Sequence, residues 1–175
     1  MKGTRFFLLI FCFFLSACQL PNTPEVESRC STVRSEIKTV QGVSMVPLFR
    51  PEDEIEVLWD EEGCLPLEKG DVVLYDYAGN ENPVLKKIRG VAGDKLSLKE
   101  AGEDAWHILI NDRVLKNSEN ISYVLSGKKY KMLSLYEEGI SEDTFLLLGN
   151  KPHGTTDSTR FGLIHRKNIL GKVSR

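Results

Sequence analysis

Ser44 lies in the stretch Gln41–Leu48, QGVSMVPL, with Gly42 two residues before it and Pro47 three after. A serine hydroxyl is a weak nucleophile until a neighbouring base accepts its proton. Histidine is the usual base, and the chain holds His107, His153 and His165. His107 falls within an alternating strand pattern and His165 within the basic segment HRKN, and neither comes with an acidic residue to orient it. A lysine can serve instead if it is held neutral. Its pKa must then fall from ~10.4 to ~7–8, a preference of ~4 kcal/mol for the uncharged form that burial among apolar groups can supply. The segment NPVLKKIRGVAGD offers Lys86 and Lys87 in an otherwise apolar strand. Adjacent strand residues face opposite sides, so one lysine can point inward while the other reaches solvent. Pattern alone favours the plainer alternative, in which both lysines lie on the surface of an edge strand.

The elements that must position these residues read as β. From Ser31 onward, EIKTVQGV and DEIEVLW alternate apolar and polar residues, the latter through Ile55, Val57 and Trp59. DVVLYDY, KLSLK, WHILIN, YKMLSL and TFLLLGN continue the series, punctuated by Gly, Asn, Asp and Pro in EEGCLP, AGNENP, AGD and INDR. Many short strands with turn signals predict an all-β fold of antiparallel sheets, closed over as a barrel or sandwich. NDR at Asn111–Arg113 predicts a hairpin turn, and 95–135 a protruding hairpin region. SMVPLFR predicts one short helical turn, limited by Pro47. No long amphipathic helix is expected. The 175 residues suit one domain. A formal net charge of −2 gives no basic field for nucleic acid, so no nucleic-acid partner is expected.

The N-terminus differs. Lys2 and Arg5 precede FFLLIFCFFLSA, Phe6–Ala17, which carries no charge. A helix of that length spans about 18 Å at ~1.5 Å per residue, well short of the ~30 Å bilayer core. The run therefore reads as a secretory signal over 1–17, with a short uncleaved anchor as the alternative. LSAC, Leu15–Cys18, resembles a bacterial lipobox. That resemblance implies diacylglycerol on Cys18 and cleavage just before it. The polar segment 18–31 then tethers a folded domain, 32–175, to a membrane. Cys30 and Cys64 remain as an even pair in the exported part. A Cys30–Cys64 disulfide is expected, with two unpaired thiols as the alternative. No CxxC or clustered histidine suggests a metal, and none is expected; nor is a cofactor.

GVSMVPL, GDVVLYDY, VLKKIRGVAGD and LGNKPHGTTDSTRFG occur in this order. Together they resemble the motifs of the type I signal peptidases, which are Ser-Lys proteases, over roughly Val40 to Lys172. The resemblance implies Ser44 as nucleophile and Lys86 as general base. It implies Thr155 and Asp157 as lysine-orienting residues, and the Ser44 backbone N–H as oxyanion donor. Val40, Met45 and Leu85 become walls of the substrate site. Some positions depart from the family pattern. Lys87 stands for an arginine and Ala92 for a proline. Asn150 stands for an aspartate and Lys151 for an asparagine. Thr155 stands for a serine, and Thr159 for the arginine that partners Asp157. Arg160, one residue later, faces the other way if the segment is extended. Gly42 offers no side chain to the oxyanion, leaving backbone donors or water.

The implied function is a serine endopeptidase that cleaves exported preproteins after small residues. It would sit on the extracytoplasmic side of the cell envelope as a lipoprotein. A conjugative-transfer-type peptidase for pilus components is a variant of that reading. A catalytically inactive peptide-binding lipoprotein is the alternative that the altered last motif raises. The self-cleaving domain of SOS-type repressors shares the dyad, but it implies a DNA-binding N-terminus, for which no helix-turn-helix pattern is present.

Overall fold

A computed structural model describes residues 33–60, 62–77, 82–153 and 155–174. The signal segment, Cys18, the tether 18–31 and Cys30 lie outside the described residues. Two antiparallel sheets dominate, as the turn-punctuated sequence predicts. The strands are β1 (Arg34–Thr39), β2 (Glu54–Trp59), β3 (Val72–Tyr75), β4 (Val84–Gly90), β5 (Leu96–Gly102), β6 (Ala105–Ile110), β7 (Arg113–Val114) and β8 (Val124–Leu125). A helix α1 (Gly127–Leu133) and a 3-10 turn (Ser134–Tyr136) follow. The chain closes with β9 (Thr144–Leu148), α2 (Ser158–Phe161), β10 (Ile164–His165) and β11 (Ile169–Val173).

The larger sheet runs β1-β2-β11-β3-β4-β9-β10. Its strands alternate in burial. In β2, Ile55 and Val57 turn to the core while Glu54 and Glu56 face solvent. In β4, Lys86, Ile88 and Gly90 are buried and Lys87 is only half-buried. This settles the choice between the two lysines. It also corrects the plainer reading of them, because β4 is an interior strand paired with β3 and β9. Its pairing with β9 begins only at Lys87, whereas Val84–Lys86 pair with β3 alone. The edge of β4 around Leu85 is therefore open on one side.

The smaller sheet holds β5-β6-β7, with β8 also on β6. Asn111 and Asp112, both at positive φ, make the β6–β7 turn where NDR predicts it. Leu96, Ile108, Ile110, Tyr123 and Leu125 of this region pack against Leu146, Leu148 and Leu163, joining it to the larger sheet.

YKMLSL, expected as a strand, is helical. Its residues fall in α1 and the 3-10 turn. Here the three-residue spacing of Tyr130 and Leu133 wins over alternation. Leu133 is fully buried and Tyr130 stacks on Trp106 at 3.9 Å, whereas Leu135 is exposed. Among the described residues no helix is long and apolar enough to cross a membrane.

After β2 the chain turns on Asp60, whose carboxylate accepts the Cys64 and Leu65 N–H groups and pairs with Arg166. Cys64 is disulfide-bonded.

Candidate active site

Ser44 sits in a loop between β1 and β2. Phe49 N–H donates to the Met45 carbonyl, closing the single helical turn that SMVPLFR predicts. Gly42 adopts a φ of 78°, a left-handed conformation that favours glycine. Its position is open, with nothing within 4 Å of a Cβ there. Glycine therefore shapes the backbone before the nucleophile, in addition to withholding a side chain from the oxyanion.

Lys86 reaches the loop from β4. Its Nζ lies 2.8 Å from Ser44 Oγ and 2.8 Å from the Leu85 carbonyl. The side chain is fully buried. Burial pulls its pKa down to about 8, against the opposing pull of the Asp157 carboxylate. The ammonium donates to Ser44 Oγ; once it is neutral, the contact can reverse and the hydroxyl can donate to the nitrogen lone pair. That is the geometry a base needs beside a nucleophile. Among the described residues no acceptor engages the Ser44 N–H, which leaves it free for an oxyanion.

Asp157 is buried and its oxygens are fully engaged. It caps α2, accepting from the Thr159 N–H at 3.0 Å and the Thr159 hydroxyl at 2.7 Å. Gly149 N–H and the Thr155 hydroxyl donate to its other oxygen. The expected direct contact of Thr155 with the lysine is thus not formed. The Thr155 hydroxyl goes to a carboxylate two residues away, a stronger acceptor, whose charge acts on Lys86 at a distance. Thr159 supplies two donors at the position where the family pattern has an arginine. Arg160 is exposed, over the Phe161 ring.

Gly149 lies where these groups converge. A Cβ there would meet Thr155 Cγ2 at 2.6 Å and the Ser44 carbonyl at 3.0 Å. Only glycine lets the last motif approach the nucleophile loop this closely.

A cleft of about 230 Å³ lies between the end of β1 and β4, lined by residues next to Lys86 in sequence but not by Ser44 or Lys86 themselves. Val40 and Leu85 line it, with Ile55, Trp59 and Leu74, and Lys38 among the polar residues. Met45, the third expected wall residue, is buried and does not line this cleft. Trp59 was legible only as a core-facing residue of β2. Arg34 Cζ and Lys38 Nζ lie 5.7 and 5.6 Å from its ring centroid, and its indole N–H donates to Glu36.

The model of the family described as signal peptidase, peptidase S26, matches residues 29–175. The chain belongs to this signal peptidase family. Signal peptidase IB of Staphylococcus aureus is 28% identical over 143 residues, covering 78% of this chain and 74% of that protein. Signal peptidase I of Leptolyngbya laminosa is 24% identical over 150 residues, covering 81% and 68%. A solved signal peptidase I from Enterococcus faecalis aligns with 63% of this chain and 98% of its own, at 20% identity and a TM-score of 0.44.

Signal peptidases of this family are serine hydrolases. Within it, this chain meets the family's usual aspartate and arginine positions with Asn150 and Thr159. Both are buried and hydrogen-bonded, so neither leaves an orphaned charge. Nothing in the sequence pattern distinguished Asn150 from a lost aspartate. The signal that finds it is its set of partners.

Proposed function

We propose that this signal peptidase cleaves exported preproteins with a Ser44–Lys86 dyad. What carries the reading is the 2.8 Å contact between Ser44 Oγ and the Nζ of a fully buried lysine. Neutral Lys86 takes the hydroxyl proton as Ser44 Oγ attacks the scissile carbonyl. The resulting oxyanion accepts from the Ser44 N–H and from a second backbone donor or a water. The Lys86 ammonium then gives its proton to the leaving amine, and the bond to the mature protein breaks. Neutral Lys86 next draws a proton from water as it attacks the acyl-enzyme; the intermediate then collapses, releasing the signal segment as a carboxylic acid, and the Lys86 ammonium returns the proton to Ser44 Oγ. Asp157 opposes the loss of charge on Lys86 and stabilises the ammonium formed at each step.

An extended substrate fits between the chain leaving β1, Lys38–Gln41, and the open edge of β4 before Lys87. Main-chain pairing there would place one substrate side chain in the Val40–Leu85 cleft. Apolar walls suit small aliphatic residues. The test is incubation of the purified enzyme with several preproteins. Cleavage by the wild type that is lost in Ser44→Ala is expected. No cleavage of any of them would favour the inactive peptide-binding alternative. Cleavage confined to a pilus precursor would favour the conjugative-transfer variant.

For location, the family acts at the cell envelope, and we assign this chain a lipid tether there. LSAC and the charge-free run before it support that reading. Intact mass of the membrane-extracted protein is expected to show a chain beginning at Cys18 with diacylglycerol attached. A mass that begins at Met1, without lipid, would remove the tether. A Cys30–Cys64 bond remains part of the same proposal, and peptide maps with and without reductant test it.

A further inference from the structure

The two carbonyls that flank Met45 are both held by Asn150. Its backbone N–H donates to the Ser44 carbonyl at 2.8 Å, and its side-chain Nδ2 donates to the Val46 carbonyl at 3.0 Å. Lys151 N–H adds a longer contact to Ser44 at 3.3 Å. The Asn150 residue is 2% exposed, and both hydrogens of its side-chain amide are engaged by protein acceptors. Nδ2 also donates to Ser118 Oγ at 2.8 Å, and Oδ1 accepts the Ser118 N–H at 3.0 Å. Asn117 Nδ2 holds the Asn150 carbonyl, and the Tyr123 hydroxyl holds that of Gly149. The residue is therefore fixed from the smaller sheet's loop on one side and grips the nucleophile loop on the other.

The partners decide which functional group is required. The Val46 carbonyl can only accept, and the Ser118 N–H can only donate. One side chain must do both, which an amide does and a carboxylate cannot. An aspartate here would set an anion against the Val46 carbonyl in a site closed to water. Ser44 lies two residues before Val46, so a shift of that carbonyl moves the hydroxyl away from Lys86.

We propose that Asn150 is a positioning residue, whose side-chain amide sets Ser44 Oγ against Lys86 Nζ by holding the Ser44–Val46 backbone. The proposal rests on the Ser-Lys reading. Its grip falls on the reacting serine and not on the cleft, so its loss lowers turnover rather than substrate affinity.

The test compares full-length wild type, Asn150→Asp, Asn150→Ala and Ser44→Ala on one preprotein, with thermal melts of each. An unsatisfied buried carbonyl facing a carboxylate is expected to lower kcat by about 100-fold in Asn150→Asp, and its loss without the charge by about 10-fold in Asn150→Ala. KM is expected to stay within about threefold in both, with the melts showing folded protein at the assay temperature. Should Asn150→Asp fail to fold, the Ala variant carries the same kcat-against-KM comparison. A kcat within about threefold of wild type, a loss that merely follows the unfolded fraction, or a rise in KM at unchanged kcat would overturn it. Residual cleavage by Ser44→Ala would instead overturn the dyad itself, independently of Asn150.

Discussion

Ser44→Ala is expected to lower kcat/KM on a preprotein by about 10⁵-fold, on the scale seen when a serine peptidase loses its nucleophile. Among the described residues no other hydroxyl is hydrogen-bonded to Lys86 to take its place. The Thr155 hydroxyl is committed to Asp157, and Thr159 bonds the same carboxylate. Neither is hydrogen-bonded to Lys86, whose Nζ, among the described residues, bonds Ser44 Oγ and the Leu85 carbonyl. The fold should not suffer, because Ser44 is only half-buried and its backbone contacts to Asn150 and Lys151 survive the change. Steady-state cleavage together with a thermal melt checks both halves. A variant that retains more than about a hundredth of wild-type turnover would mean that another residue is the nucleophile.

Lys86→Met is expected to be as inactive as a base deletion allows, losing about 10⁴-fold in kcat/KM, yet to be more stable than the wild type. The sign follows from protonation. The folded pKa of about 8 lies below the ordinary lysine value of 10.5. The folded state thus binds protons less readily than the unfolded chain. Below pH 8 the buried ammonium costs the fold about 3 kcal/mol, and that cost fades as pH rises through 10.5. Methionine has similar length and no charge. It leaves the Leu85 carbonyl without its donor, which returns about 1 kcal/mol of the gain. It also removes the positive partner of Asp157, whose four donors stay in place. The balance is a gain of about 1–2 kcal/mol at pH 7, or a rise of a few degrees in Tm, vanishing near pH 10 and above. Urea unfolding at pH 7 and pH 10 measures it. A variant that is less stable than wild type at both values would mean that Lys86 is comfortably charged in its site.

The strands were legible because this chain spells them by alternation. Ile55, Val57 and Trp59, or Lys86 and Ile88, recur at a spacing of two, and turns carry their Gly, Asn and Asp where φ is positive. YKMLSL was not legible, since Tyr130 and Met132 alternate around Lys131 while Tyr130 and Leu133 satisfy a helix. Tertiary contact with Trp106 decides between them. Ser44 and Lys86, and their pairing as nucleophile and base, could be found from motif order. The contact itself could not, because it depends on a seven-stranded sheet bringing residue 86 to residue 44. A motif also carries no information on where a hydroxyl points, which is why Thr155 was expected on the lysine and lies on Asp157. Asn150 read as a loss for the same reason. Residue type announced the missing carboxylate, whereas the Val46 carbonyl that requires an amide is over a hundred positions away in sequence.

The pH dependence of wild-type kcat/KM tests the lysine base most directly, because it reports the free enzyme's titrating group. The rate should climb about tenfold per pH unit from pH 6, bend at about 8 and then level off, as neutral Lys86 becomes the dominant form. At pH 6 it should stand about 100-fold below the plateau. A profile that is flat across this range, or one that bends near the ordinary histidine value of about 6.5, would contradict a Ser44–Lys86 dyad.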